Sequence, residues 1–392
     1  MPNLDYKKFT ISRIDSFINQ ILLLKELDFP YEDSSEALDK ILEHIKTQRD
    51  TLEKSVLEGE ALQSRCARAT SQLYIFHRFV GYIRKSADPN NSFEIYFSFR
   101  RLAEAILGNN VRLIISSEWE SYSPVNFSIP SELSDFVFIG LPVSEAENSL
   151  IVPLSGHELG HTIWLIHNFE DKYRTILQKF AQESSSSQFD DSELSFVIDT
   201  SLIKCAEYFC DFIGMGLFGE SYLYAFAYLI APKISKKNVS SHPNAINRAE
   251  AMTQAAKAFG YQVPGNFRDL FKTQMDISRT NYELYLERSE QLSFSMVESV
   301  ITDVKNLLLN KNVLYTRSAN FNFITSQLLS GVPISSANTL ADITNASWEV
   351  YFKEEKLGGL DLLEGQKVEF LNELTIKSFE ILEIKQRLNN DT

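Results

Sequence analysis

The reading of this chain turns on residues 150–167, Leu150-Ile151-Val152-Pro153-Leu154-Ser155-Gly156-His157-Glu158-Leu159-Gly160-His161-Thr162-Ile163-Trp164-Leu165-Ile166-His167. Within them His157-Glu158-Leu159-Gly160-His161 forms the pattern HExxH. Leu154, Ile163 and Ile166 supply apolar positions for burial, so the stretch is expected to be helical. Asn148, Ser149 and Ser155 are all candidate caps, and Pro153 is tolerable in a first turn. In a helix each residue advances about 100°, so His157 and His161 share a face, one turn apart. Two imidazoles so placed can bind one Zn²⁺ at about 2.0–2.1 Å each. Glu158, beside the first of them, can accept a proton from a metal-bound water whose pKa the metal lowers towards about 7. The plainer alternative is two surface histidines beside a solvated glutamate.

A catalytic zinc keeps three protein ligands and one open position. Two residues compete for the third place. His167 lies six residues after His161, where metzincin enzymes keep their third histidine, but the glycine those enzymes need midway is Trp164 here. If the helix simply continues, His167 sits about 240° around and roughly 9 Å beyond His161, and is then a helix-end histidine near terminal carbonyls. The other candidate is Glu207, in Cys205-Ala206-Glu207-Tyr208-Phe209-Cys210-Asp211-Phe212. A carboxylate in so apolar a stretch needs a partner. Glu207 and Asp211, at i and i+4, share a helix face. This suits Glu207 as third ligand and Asp211 as acceptor for the distal nitrogen of a zinc-bound histidine. Two acids on the wet face of an amphipathic helix would give the same spacing. Further on lies Ser241-His242-Pro243-Asn244-Ala245-Ile246-Asn247-Arg248. His242 is suited to donate to the oxyanion of a tetrahedral intermediate, and Arg248 to bind a peptide carbonyl or support the site.

HExxH, then ExxxD, then HPxxxxR, in that order over about residues 150–255, resembles the CAAX prenyl protease family of gluzincins and its minimal soluble relatives. The resemblance implies zinc on His157, His161 and Glu207, with Glu158 as catalytic base and Asp211 behind the ligands. It places His242 and Arg248 near the substrate and oxyanion. It also implies that substrate adds as a strand to a sheet edge, which Phe136 to Ile139 or Leu150 to Val152 could supply. The membrane helices of the prenyl proteases are missing here, and Cys210 replaces the small alanine that often precedes the aspartate.

Upstream, the first hundred residues read as helix. Phe9, Ile14, Phe17, Ile18, Ile21 and Leu22 recur at helical spacing, and Asp28-Phe29-Pro30 interrupts them. Ser34 or Ser35 can cap a second helix whose face carries Leu38, Ile41, Leu42 and Ile45, continued by Leu52 and Val56. Leu73, Phe76, Val80 and Ile83 mark a third, before the turn cluster Asp88-Pro89-Asn90-Asn91. The β-branched and aromatic runs Val111 to Ser117 and Phe136 to Ile139 predict a small sheet between about residues 110 and 152. Downstream, Glu183-Ser184-Ser185-Ser186-Ser187-Gln188 reads as a polar surface loop. The pattern is helical again from about residue 270, looser near Val332 to Asn338. The expected fold is α+β, mainly α: an N-terminal helical region at 1–95, a gluzincin-like zinc metallopeptidase core with a small sheet at 96–270, and a C-terminal helical region at 271–392.

The whole chain narrows the function further. Its 392 residues are 44% hydrophobic and 23% charged, a globular composition, with a net charge of −14 that argues against nucleic acid or an anionic membrane as partner. Cys66, Cys205 and Cys210 form no disulfide framework; the last two read as inert core thiols, and reduced thiols fit a cytoplasmic location. The N-terminus lacks an apolar signal core, no lipidation motif is present, and the most hydrophobic run, Ser221 to Ala231, is too short to span a bilayer. The expected function is a zinc-dependent metallopeptidase acting on a protein or peptide substrate. The competing readings are a vestigial or structural zinc protein that works as a binding or regulatory module, and a zinc hydrolase acting on a non-peptide amide. Nothing in the residues specifies an oligomeric state.

Overall fold

The computed structural model describes residues 5–87, 93–118, 129–142, 145, 148–184, 190–232, 234–236, 239–274, 280–353 and 356–390. The turn cluster at Asp88 to Asn91 and residues Ser185 to Gln188 of the polar loop lie outside them. The chain divides into two compact units, one of residues 1–93 and 110–146, the other of 94–109 and 147–392. This division differs from the three regions expected at 1–95, 96–270 and 271–392. The sheet residues group with the N-terminal helices, and the C-terminal helices share a unit with HExxH.

In the first unit, α1 (Tyr6–Leu24), α2 (Glu32–Glu53) and α3 (Gly59–Lys85) pack on one another. Their apolar stripes meet: Ile14, Phe17 and Ile21 face Leu38, Ile41, Ile45, Phe76 and Ile83 in one buried cluster. Val56 lies beyond the end of α2 and is 92% exposed, so the expected stripe stops at Leu52. Neither Ser34 nor Ser35 caps α2, because the helix begins earlier, at Glu32. Ser34 is buried inside it, its hydroxyl 2.7 Å from that of Ser86. The two β-rich runs form β1 (Arg112–Glu118) and β2 (Phe136–Pro142), paired in parallel with Ile114 opposite Phe138. Asp33 of α2 accepts the Leu113 backbone N–H at 2.7 Å, satisfying a buried donor of β1.

The second unit opens with α4 (Tyr96–Leu107) and a 3-10 turn (Ser149–Leu154) that runs without a break into α5 (Ser155–Ile166). Then follow α6 (Phe169–Ser184), α7 (Asp191–Phe218), α8 (Glu220–Ile230), β3 (Ile234–Lys236) and α9 (Ala245–Phe259). β4 (Lys272–Gln274), paired in parallel with β3, precedes α10 (Asn281–Ser295), α11 (Val297–Asn310), α12 (Phe321–Leu329), α13 (Leu340–Phe352) and α14 (Glu364–Asn390). The fold is therefore mainly helical with little strand. None of the described helices is long and apolar enough to cross a membrane.

α7 is the axis of this unit. A capping box of Asp190 and Glu193 starts it, and its residues from Val197 to Phe218 are apolar nearly all round and mostly buried. α5, α6, α9, α10 and α11 all pack on it. The contact with α5 is unusually close. A methyl group added at Gly156 would lie 2.8 Å from the Gly214 Cα, and one at Gly160 would lie 2.7 Å from the Cys210 Cα. Gly160 of HExxH and Gly156 just before it thus let two backbones approach and set the two histidines directly against α7.

Candidate metal centre

The run-in to α5 is fixed from outside, since no side chain caps the helix. Asn372 of α14 accepts from the Ser149 backbone N–H at 3.1 Å and from its hydroxyl at 2.7 Å. The Trp348 indole of α13 donates to the Leu150 carbonyl at 2.9 Å. Of the candidate caps, Asn148 precedes the 3-10 turn, Ser149 begins it, and Ser155 is the buried first residue of α5. Leu150 to Val152 lie in that turn, so they offer no strand edge; the other segment considered, Phe136 to Ile139, forms β2 of the first unit.

Each histidine of HExxH uses one ring nitrogen on a neighbour of α7 and turns the other towards Glu207. His157 Nδ1 is 2.9 Å from Asp211 Oδ1, and its Nε2 is 3.4 Å from Glu207 Oε2. His161 Nδ1 is 3.3 Å from Cys210 Sγ, and its Nε2 is 3.8 Å from Glu207 Oε1. Donors around a tetrahedral ion at about 2.0–2.2 Å lie roughly 3.4 Å apart, close to these separations. Glu207 is 2% exposed. Its Oε2 and His161 Nε2 are buried with no hydrogen-bond partner among the described residues. Orphaned groups of this kind call for an ion or a water.

His157, His161 and Cys210 also form a group able to hold a metal, their ligand atoms within 4.8 Å of one another. The two donor sets share both histidines and differ in the side of His161 they use. Cys210 meets Nδ1; Glu207 faces Nε2. His157 has Nδ1 committed to Asp211, so its free nitrogen also faces Glu207. Burial pushes the Cys210 thiol well above its ordinary range, which disfavours the thiolate that would ligate. Two imidazole nitrogens and a carboxylate oxygen are also a donor set able to hold a divalent metal.

Asp211 is fully buried and heavily used. It accepts from Tyr222 Oη at 2.7 Å and takes a two-pronged contact from Arg248, Nε at 2.8 Å and Nη2 at 2.7 Å. Against the upward push of burial, Arg248 and His157 hold its carboxyl down to about 2. Glu207 is likewise pushed up by burial and pulled well below the carboxylate range by His157, His161 and His242. His157 is lowered by burial but raised more by Asp211 and Glu207, to about 10, whereas burial brings His161 down to about 4. The two carboxylates thus favour the protonated form of His157, in a place a cation can take over.

Glu158 is buried and makes no hydrogen bond or ion pair among the described residues. Burial raises its carboxyl to about 7, with His157 and Arg248 opposing. His242, with its side chain 45% exposed, brings Nε2 to 3.5 Å from Glu207 Oε2, while its Nδ1 meets Ser241 Oγ at 2.9 Å. Arg248, expected at the substrate, is occupied on Asp211 and stacked over Phe226 at 4.8 Å. The turn carrying His242 is held by Glu290 of α10, which accepts from the Asn244 backbone N–H at 3.1 Å, Asn244 Nδ2 at 3.1 Å and Asn247 Nδ2 at 2.8 Å. Glu290 is itself paired with the fully buried Lys204 at 2.6 Å.

His167 takes no part. α5 passes unbroken through Trp164, and the first positive φ comes at Asn168, at 52°. Trp164 is buried against Phe169 and Tyr173, so the chain does not swing back where a metzincin's would. His167 ends the helix, exposed. Two contributors escaped the sequence reading. Cys210, read as an inert core thiol, meets His161; its place three residues after Glu207 puts it on the same helix face, a signal that was present. Tyr222, from the apolar run Ser221 to Ala231, reaches Asp211 only because α8 folds back, and nothing local announces it. A scan against protein-family models, a search of curated proteins and a search of solved structures each found no match.

Proposed function

We propose that this chain is a zinc-dependent hydrolase that cleaves peptide bonds, with His157, His161 and Glu207 as the metal ligands. The observation that carries this is the convergence of two imidazole Nε2 atoms on a buried carboxylate, with neither His161 Nε2 nor Glu207 Oε2 satisfied by a hydrogen bond among the described residues. When bound, zinc would supply a Lewis acid for the scissile carbonyl and lower the pKa of water. Glu158, raised towards neutrality by burial, is suited to take a proton from the attacking water and return it to the leaving amine. His242, on a partly open turn, is placed to donate to the developing oxyanion. Asp211 orients His157, while Tyr222 and Arg248 hold Asp211.

One observation favours the reading as a structural zinc protein. His242 Nε2 is 3.5 Å from Glu207 Oε2, within the spacing of a fourth ligand that would close the site. Both readings are tested by zinc content and by cleavage of a mixed peptide library, on wild type, Glu158→Gln and His242→Ala. The peptidase reading expects one zinc per chain in all three, with turnover reduced at least about a hundredfold in Glu158→Gln. Full turnover in Glu158→Gln would sink the assigned role of that residue. Zinc lost from His242→Ala, with no cleavage by the wild type, would establish the closed site instead.

A further inference from the structure

A neutral imidazole carries its proton on one nitrogen and a lone pair on the other. For His161 to offer Nε2 to a cation beside Glu207, Nδ1 must carry the proton. A buried N–H left without an acceptor is destabilising. The group within hydrogen-bond reach of His161 Nδ1 is Cys210 Sγ, at 3.3 Å, and both residues are buried. His157 presents the matching case, its Nδ1 on Asp211 and its Nε2 towards the same carboxylate. The close crossing of α5 and α7 brings the sulfur there: a methyl group at Gly160 would stand 3.1 Å from the Cys210 Cβ and 3.2 Å from Sγ.

We propose that Cys210 is the positioning residue of His161, accepting the Nδ1–H bond and so fixing the tautomer that turns Nε2 to the metal. This rests on the zinc site proposed above. The two histidines then differ in kind. Asp211 backs His157 with a negative charge, and Cys210 backs His161 with a neutral, polarisable sulfur. His161 is consequently the less electron-rich of the two ligands, and the site is asymmetric.

Two measurements on wild type, Cys210→Ala and Cys210→Ser test this. One is the ¹⁵N spectrum of the histidine rings in zinc-free protein, which reports the tautomer. The other is zinc affinity by chelator competition. The expected result is Nδ1–H on His161 in wild type and in Cys210→Ser, and a tautomer mixture in Cys210→Ala. Zinc binding should weaken by about 10- to 100-fold in Cys210→Ala and change little in Cys210→Ser. Nε2–H on His161 in wild type would overturn the proposal, since the thiol would then be the donor. So would an unchanged affinity in Cys210→Ala. A sulfur-to-cobalt charge-transfer band in the Co²⁺-loaded wild type, absent from Cys210→Ser, would overturn it by making Cys210 a ligand. If the wild type takes up neither metal, the zinc reading itself fails, and the tautomer spectra alone decide: loss of Nδ1–H in Cys210→Ala sustains the orienting bond, and no change removes it.

Discussion

Gly160→Ala sets helix propensity against packing, and the two demand opposite signs. In a helix interior alanine is favoured over glycine by about 0.5–1 kcal/mol, so propensity alone expects a more stable protein. The added Cβ would lie 2.7 Å from the Cys210 Cα. Carbon atoms settle at about 3.5–4.0 Å, leaving a shortfall of about 1 Å against backbone, which cannot rotate away. Overpacking of this kind costs about 1–3 kcal/mol, so from the middle of both ranges the net effect should be a loss of about 1 kcal/mol. The same displacement separates His157 and His161, on α5, from Glu207, on α7. Metal–ligand distances tolerate only about 0.2 Å, so zinc affinity should fall at least about tenfold. Gly81→Ala is the matched control: it lies in α3 with nothing within 4 Å of the added methyl group, and should gain stability. Urea denaturation of the metal-free proteins gives the stabilities, and chelator competition the affinities. A Gly160→Ala protein as stable as wild type, or more so, would refute the close crossing.

Other expectations follow from the same contacts. Glu207→Ala and His161→Ala should lose zinc on purification, while His167→Ala keeps it, as metal analysis would show; loss only in His167→Ala would restore the metzincin geometry. Glu383 of α14 is buried, and burial raises its carboxyl to about 7 although Phe97 N–H donates to it. A carboxyl raised on folding stabilises fully below its unfolded value and loses that contribution as pH climbs through the folded one. Stability should therefore fall by about 3 kcal/mol between pH 4.5 and 8 from this group, and Glu383→Gln should flatten that slope in pH-dependent denaturation. Glu290→Ala strands Lys204, which is 0% exposed, and should cost about 3–5 kcal/mol; Lys204→Met combined with Glu290→Gln should cost much less, by the same assay.

Much of this was legible in the chain because it depends on periodicity. The stripes of α1 to α3 follow from residues three and four apart, and the two strands from β-branched runs. HExxH and ExxxD each specify a helix face, and the structure brings those faces together. What stayed hidden depends on contacts between distant segments. The parallel pairing of β1 and β2 leaves no local mark. Arg248 was read towards substrate because the sequence does not show that its fork closes on Asp211. Glu290, well beyond the motifs, had no reason to stand out until the fold placed it against Asn244 and Asn247.

The tethers at the two ends of the motif stretch bear on what counts as the smallest working piece of this protein. Every proposed donor lies between His157 and His242, yet Asn372 and Trp348 hold the approach to the first and Glu290 holds the turn of the last. A fragment ending near residue 270 would retain all the chemistry-bearing atoms and none of these anchors. Insertions or truncations in the last hundred residues should therefore register at the metal centre, although no proposed ligand lies among them. In this chain the motif and its scaffold are inseparable, and substitutions far downstream are a means of tuning the site.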